Sequence, residues 1–319
     1  MKIIHISDLH LDAVNRQENY SKTLLLFEHI TSFGFDHLVI TGDVTEYAEK
    51  SAYSLTRNIL KKFNLLNSSK CTIIIGNHDI YGGVHLAEDI LNFPKRCNET
   101  NYNQKVEQFT SAFNETYHNI KTINNRNIYP FIKEFDDFIF LGLNSIAEYS
   151  FLRNPFASNG KIGSTQIESS RILLDSKHLK NKKVLVLTHH HFCKNPITLP
   201  HESTTWQRIE KQTIKLRNKK RLLGFFKELN TELVLHGHLH ESSFYKRKKI
   251  KFLNAGGTIL LENKGELNYN MIEISSNSIS YSIENIPLTS QNQKFLPYTS
   301  KGQLFDLLNL PKLARISVN

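Results

Sequence analysis

Five short polar clusters stand out in the sequence because each follows an apolar, mostly β-branched run. Together they offer carboxylate, amide and imidazole groups, more potential ligands than one ion can use. Two divalent ions held by such a set would activate water for the hydrolysis of a phosphate ester. The clusters are Asp8-Leu9-His10, Gly42-Asp43, Gly76-Asn77-His78-Asp79, Thr188-His189-His190-His191 and Gly237-His238-Leu239-His240.

The spacing inside the clusters allows several side chains to share one site. Asp8 and His10 are two residues apart, as are His238 and His240, so each pair points to one side of an extended segment. Asp43 is the natural bridge between two ions because its carboxylate has two oxygens. The mixture of oxygen and imidazole donors favours Mn, Fe or Zn over Mg or Ca.

Two residues of the third cluster are candidates for catalytic roles without binding metal. His78 directly follows the candidate ligand Asn77 and could contact the phosphate or protonate the leaving oxygen. Asp79 could orient His78 through a hydrogen bond, or it could simply cap a turn or helix.

The apolar runs before the clusters predict strands that are buried on both faces, at 2–7, 37–41, 71–75, 184–188 and 232–236. Amphipathic helices at 19–33 and 48–63 alternate with the first three strands, which favours a largely parallel α/β sheet. Ligands of such sheets bind beyond the carboxyl ends of the strands, where the five clusters lie.

We predict one catalytic domain over residues 1–286 and an extension over 287–319. The polar, Asn-rich stretch 82–130 is expected to be a cap-like insertion over the site mouth. Short alternating segments within 242–286 predict an antiparallel meander. The Leu- and Phe-rich stretch 291–319 is interpreted either as a helix docked on the core or as a segment for peripheral contact with a membrane or partner.

Net charge, cysteine spacing and the N-terminal residues indicate the compartment in which the protein acts. The net charge is +10, and its excess is concentrated within 177–251, in runs such as 217–221 and 246–251. Such runs either attract a polyanion or are solvated surface. The three cysteines have no paired spacing, and the N-terminus leads directly into a predicted strand rather than a signal peptide. We therefore expect a cytoplasmic protein.

The five clusters, in this order over roughly residues 1–262, resemble the signature of the calcineurin-like metallophosphoesterases. The resemblance implies a four-layer α/β/β/α sandwich with two mixed β-sheets and two divalent metal ions. It also implies that His78 donates a proton or contacts phosphate. The implied first metal position uses Asp8, His10, Asp43 and His240, and the second uses Asp43, Asn77, His238 and one histidine of the 189–191 run.

Two features of the resemblance leave alternatives open. Counting from the strand end favours His189 as the ligand, whereas counting back from a Pro that many family members carry favours His190. At the subfamily level, the triple histidine, Trp206 and Leu216-Arg217-Asn218 resemble bacterial class III cyclic-nucleotide phosphodiesterases. This resemblance implies a phosphodiesterase acting on small cyclic nucleotides by means of a hydroxide activated by two metals.

Three other functions remain compatible with the sequence. A DNA or RNA nuclease would fit the metal signature and the basic charge. A pyrophosphate or lipid phosphoesterase at a membrane surface would fit the basic stretch and the apolar tail. A non-catalytic scaffold is disfavoured because no expected ligand is missing.

Overall fold

Two mixed β-sheets form the framework of the computed structural model, which describes residues 1–12, 14, 16–84, 87–123, 127–193, 214–259 and 265–288. Trp206 and the 291–319 stretch lie outside these residues. The strands are β1 (Lys2–Ile6), β2 (His37–Ile40), β3 (Cys71–Ile73), β4 (Ile120–Thr122), β5 (Phe131–Glu134), β6 (Phe138–Gly142), β7 (Lys183–Leu187), β8 (Thr231–His236), β9 (Ser242–Arg247), β10 (Ile250–Ala255), β11 (Glu266–Ile274) and β12 (Ile279–Pro287).

The order of the first sheet is β12-β11-β1-β2-β3, and that of the second is β4-β5-β6-β7-β8-β10-β9. Strands β1, β2 and β3 run parallel, as do β6, β7, β8 and β10. The helices are α1 (Gln17–Ser32), α2 (Lys50–Lys62), α3 (His78–Tyr81), α4 (Ala87–Glu99), α5 (Tyr102–Ala112), α6 (Ser164–Leu174) and α7 (Lys219–Glu228).

Alternating side chains of the second sheet separate two cores. Phe140 and Leu185 face the first sheet, whereas Leu141 and Val186 face the helices and pack with Phe226 of α7. Each fully buried side chain of this size contributes about 1.5–3 kcal/mol. Helices α1 and α2 belong to the core of the first sheet, which gives the layer order helix, sheet, sheet, helix. The predicted four-layer fold with two mixed sheets is confirmed.

The predicted meander over 242–286 is divided between the two sheets. Strands β9 and β10 form a hairpin, but β10 also runs parallel to β8, with Leu253 opposite Leu235. Strand β11 lies beside β1 in the first sheet, where Glu273 is opposite Lys2. Local alternation indicates a strand but not its partner, because pairing depends on segments that are distant along the chain.

The 82–130 stretch supplies α4, α5 and the edge strand β4. Helix α5 packs on α2, with the rings of Phe109 and Phe113 each 6.0 Å from that of Tyr53. Pairing of β4 with β5 joins the end of this stretch to the second sheet. Among the described residues, every helix is too short or too polar to cross a bilayer.

Buried His37 makes the stability of the first sheet sensitive to acid. Its Nδ1 donates to the Ser69 carbonyl at 3.0 Å, and its Nε2 accepts from the Thr72 hydroxyl at 2.8 Å. Burial, assisted by the charge of Lys133, lowers the pKa of His37 to about 3. As pH falls below the usual histidine range, the unfolded chain therefore binds the proton before the folded chain does.

We expect the free energy of unfolding to fall between pH 6.5 and 3, with His37 contributing up to about 1.4 kcal/mol per pH unit. His37→Gln should reduce this slope in chemical denaturation curves recorded at several pH values. The matched control is His118→Gln, since His118 is exposed. Equal slopes for both variants and the parent would contradict the prediction.

Candidate metal centre

The five polar clusters meet where the carboxyl ends of the two sheets face each other. Within the first sheet, the Asp8 N–H donates to the Gly42 carbonyl at 3.0 Å. Across the sheets, the His238 N–H donates to the Asp8 carboxylate at 3.0 Å. The His189 Nδ1–H donates to the Thr41 carbonyl at 2.8 Å. These bonds fix loops of the two sheets against each other.

The backbone at the site is strained. Asp8, His10, Asp43 and His238 all adopt positive φ, at 57°, 43°, 49° and 70°. Such conformations are rare outside glycine and concentrate at functional sites. Gly42 adopts φ 98°, and a Cβ there would lie 2.7 Å from His189 Nδ1 and 2.8 Å from the Gly76 backbone. The glycine before Asp43 therefore permits both the turn and the close approach of the other sheet.

One group of ligand atoms gathers around Asp8. His10 Nε2 lies 3.8 Å from Asp8 Oδ1 and 3.9 Å from Asp43 Oδ2. His240 Nε2 lies 3.7 Å from Asp8 Oδ1. His10 Nε2 is buried and has no hydrogen-bond partner, although a buried polar atom normally has one. A cation between these atoms would satisfy it.

A second group of ligand atoms gathers on the other side of Asp43. His189 Nε2 lies 3.2 Å from Asp43 Oδ2, 3.0 Å from Asn77 Oδ1 and 3.2 Å from His238 Nδ1. Metal–ligand bonds near 2.1 Å place neighbouring ligand atoms about 3.0–3.4 Å apart, so this group fits one cation. Asp43 Oδ2 faces both groups, and the arrangement can hold two ions with a shared carboxylate.

Comparison with known proteins identifies the architecture. The family model described as calcineurin-like phosphoesterase matches residues 1–242. The chain belongs to the calcineurin-like phosphoesterase family. The resemblance of the sequence to this family is thereby confirmed, and the chain is a metal-dependent phosphoesterase. The family implies a pair of divalent ions, and the two groups of ligand atoms around Asp43 fit them.

Solved structures show the same fold. A dimetal phosphatase from Danio rerio aligns with a TM-score of 0.54 at 11% identity, covering 91% of this chain and 99% of that one. A purple acid phosphatase from yellow lupin aligns with a TM-score of 0.55 at 10% identity, covering 94% of this chain and 56% of that one. Comparison with curated protein sequences gave no match.

The three consecutive histidines of the phosphoesterase have different surroundings. His189 donates from Nδ1 and leaves Nε2 directed at Asp43 and Asn77. His190 has both ring nitrogens within hydrogen-bonding distance of other groups, Nδ1 at 2.9 Å from Ser145 Oγ and Nε2 at 3.1 Å from the Ser158 carbonyl. His191 Nε2 lies 3.0 Å from the Ile214 carbonyl. Of the three, only His189 belongs to the second group of ligand atoms.

Glu46 is a residue of the phosphoesterase site that sequence reasoning missed, as is Arg16 beside it. Its buried carboxylate places Oε2 at 2.9 Å from His10 Nδ1 and Oε1 at 3.2 Å from His78 Nδ1. A partner on one ring nitrogen fixes the tautomer and leaves the other nitrogen for a metal or substrate. The available signal was its position three residues after Asp43, on the same strand-end turn.

Asp79 has different partners from those its position suggested. Its Oδ1 accepts from the Thr45 N–H at 3.0 Å and the Thr45 hydroxyl at 2.9 Å, and its Oδ2 accepts from the Gly76 N–H at 2.9 Å. The Nδ1 of His78 instead faces Glu46. Asp79 therefore ties the turns that carry Asp43 and Asn77, which matches the capping alternative.

The electrostatics of the site favour added positive charge. Burial would raise the pKa of Asp43, but the rings of His189 and His78 lower it on balance. For the imidazoles the effect of burial is opposite, since burial would lower the pKa of His10 and His189. Nearby carboxylates nevertheless raise these two pKa values to about 10 and 9. The carboxylates thus retain protons on imidazoles when no cation is bound, and metal binding would release those protons. Burial and the neighbouring His190 lower the pKa of His238, which keeps it in the neutral form that a ligand requires.

A cavity of about 280 Å³ opens beside the metal centre. Among the described residues that line the cavity, Arg16 is the one with a Lys or Arg side chain. The basic runs 217–221 and 246–251 do not contribute to that lining. The second run covers the end of β9, the turn and the start of β10, at a sheet edge. The polar lining comprises His10, Arg16, Glu46, Asn77, His78, Ser158 and His240, and the apolar lining includes Tyr81, Val84, Phe93 and Phe156.

Proposed function

We propose that this phosphoesterase is a phosphodiesterase, with small cyclic nucleotides as its substrates. The observation that carries the proposal is the compact cavity, which joins the metal centre to aromatic walls from Phe93 and Phe156. A nucleobase can stack on such walls, whereas a polymer would need an extended cationic groove. The small volume and the single guanidinium in the described lining favour a small substrate over a nucleic acid.

Residue roles follow from the two groups of ligand atoms. Asp8, His10, Asp43 and His240 would hold one ion, and Asp43, Asn77, His189 and His238 would hold the other. Mn, Fe and Zn are the metals that suit this donor set. When bound, the ions would supply Lewis-acid activation of water and of the phosphoryl group. His190 would support His189 and the 145–158 loop rather than bind metal.

His78 would supply the proton for the leaving oxygen. Burial would lower its pKa, but Asp43 and Glu46 raise it on balance, which favours the protonated ring that a proton donor requires. Its Nδ1 faces Glu46 and the ring lines the cavity, which leaves Nε2 for the substrate. Arg16 would add positive charge on the substrate side, since its Nε lies 3.1 Å from Glu46 at the cavity wall.

The test is a substrate panel with protein loaded separately with Mn, Fe and Zn, and with EDTA-treated protein as the control. We expect turnover of cyclic AMP and of bis-p-nitrophenyl phosphate, and none after metal removal. Turnover of the monoester p-nitrophenyl phosphate alone would overturn the diesterase assignment. Faster cleavage of single-stranded DNA than of cyclic AMP would favour the nuclease instead.

A further inference from the structure

The first residues of the 82–130 stretch cover the contact between Glu46 and His78. A Cβ on Gly83 would lie 1.8 Å from Glu46 Oε1 and 2.9 Å from His78 Nδ1. The Gly83 N–H also donates to the Glu46 carbonyl at 2.8 Å. No side chain fits at this position without displacing the carboxylate or the ring, so the backbone of Gly83 holds the pair in place.

Arg96 of helix α4 fixes Gly83 from the other side. Its guanidinium donates to the Gly83 carbonyl at 2.6 Å. The same group lies 5.1 Å from the ring centre of Phe93 and 5.6 Å from that of Tyr47, distances typical of cation–π contacts. Tyr47 directly follows Glu46 in the chain. A single guanidinium thus links α4, the backbone of Gly83 and the segment that carries Glu46.

We infer that Arg96 is a positioning residue that acts through Gly83 to keep the Glu46 carboxylate on the Nδ1 side of the His78 ring. We call the contacts that run from Arg96 through Gly83 to Glu46 the brace. The catalytic importance of the brace rests on the function proposed for His78, whereas the contacts themselves are observed. The inference gives the 82–130 stretch a role in positioning a side chain of the site, because Arg96 of α4 would determine how the Glu46 carboxylate is oriented.

The first measurement follows the His78 ring by nitrogen-15 NMR of the full chain, with and without Zn²⁺. The proton on His78 Nδ1 is sheltered by Glu46 and Gly83, and its signal is assigned by its loss in His78→Ala. We expect this signal to broaden or shift toward that of a solvent-exposed ring in Arg96→Gln. Arg171→Gln is the matched control, because Arg171 pairs with Glu168 and Glu228 on the surface of α6 and α7, and it should leave the signal unchanged.

The second measurement is steady-state kinetics on bis-p-nitrophenyl phosphate. We expect kcat of Arg96→Gln to fall about tenfold or more because the proton donor is misplaced, while KM and the bound metal change little. Arg96→Lys should recover part of the loss, since an ammonium group can still donate to the Gly83 carbonyl.

A glycine pair tests the same brace without touching Arg96. Gly83→Ala should displace Glu46 and alter the His78 signal, whereas Gly163→Ala should not, because an added Cβ at Gly163 meets nothing within 4 Å. This pair decides the question if Arg96→Gln fails to fold. A native His78 signal in folded Gly83→Ala or Arg96→Gln would overturn the inference. An altered signal in a protein that hydrolyses no ester would retain the brace and refute the proposed function.

Discussion

Asp43→Asn is expected to abolish phosphate-ester hydrolysis while leaving the fold intact. Asp43 Oδ2 lies 3.2 Å from His189 Nε2 and 3.9 Å from His10 Nε2, between the two groups of ligand atoms. Loss of its charge removes the anion that two cations would share, and we expect kcat/KM to fall by at least about 10³. The Oδ1 atom, which accepts from the His78 N–H at 2.8 Å, has an equivalent in asparagine, so the turn should persist.

The experiment combines kinetics with metal analysis and thermal denaturation. Asp43→Asn should retain at most one tightly bound ion per chain. The control is Asp136→Asn, which changes the same chemical group at an exposed position in the turn between β5 and β6. Undiminished turnover in Asp43→Asn with two bound ions would show that another group bridges the metals.

The adjacent pair His189 and His190 gives the second large effect. In His189→Ala, the second group loses the nitrogen that faces Asp43, Asn77 and His238. We expect loss of one bound ion and a fall in kcat/KM of at least about 10². His190→Ala should retain both ions. It should lower the free energy of unfolding by about 1–3 kcal/mol, because Ser145 and the Ser158 carbonyl lose a buried partner.

Metal content and chemical denaturation, measured on both variants, separate the two roles. Each variant serves as the control for the other, since both remove a buried imidazole from the same segment. If His190→Ala loses an ion and His189→Ala keeps two, the ligand role passes to His190.

The convergence of the polar clusters was predictable from the sequence. Parallel strands place their carboxyl ends at one edge, so residues such as Asp8, Asp43 and Asn77 must approach each other once β1, β2 and β3 are aligned. Their residue types then limit the chemistry, because imidazole and carboxylate together favour transition metals. The order of the clusters was specific enough to indicate the family, which the family model confirms.

The support around the metal centre was not predictable in the same way. The contact of Glu46 with His78 depends on side-chain directions within a strained turn, which no periodicity encodes. Assignment of the 189–191 histidines depends on the 145–158 loop, since Ser145 and Ser158 reach His190 from segments far away in the chain. The division of the 242–286 strands likewise reflects partners that lie over 200 residues apart, as in the pairing of Lys2 with Glu273.

Because the site lies between the two sheets, metal occupancy affects the free energy of unfolding of the whole protein. Asp8 and Asp43 follow strands of the first sheet, whereas His189 and His238 follow strands of the second. Each of the two ions would take ligands from both sheets and would therefore act as a noncovalent link across the sandwich. By mass action, it would add about 2.7 kcal/mol to the resistance to unfolding at a free concentration 100 times its dissociation constant. Melting midpoints of different preparations are therefore comparable only at equal free-ion activity.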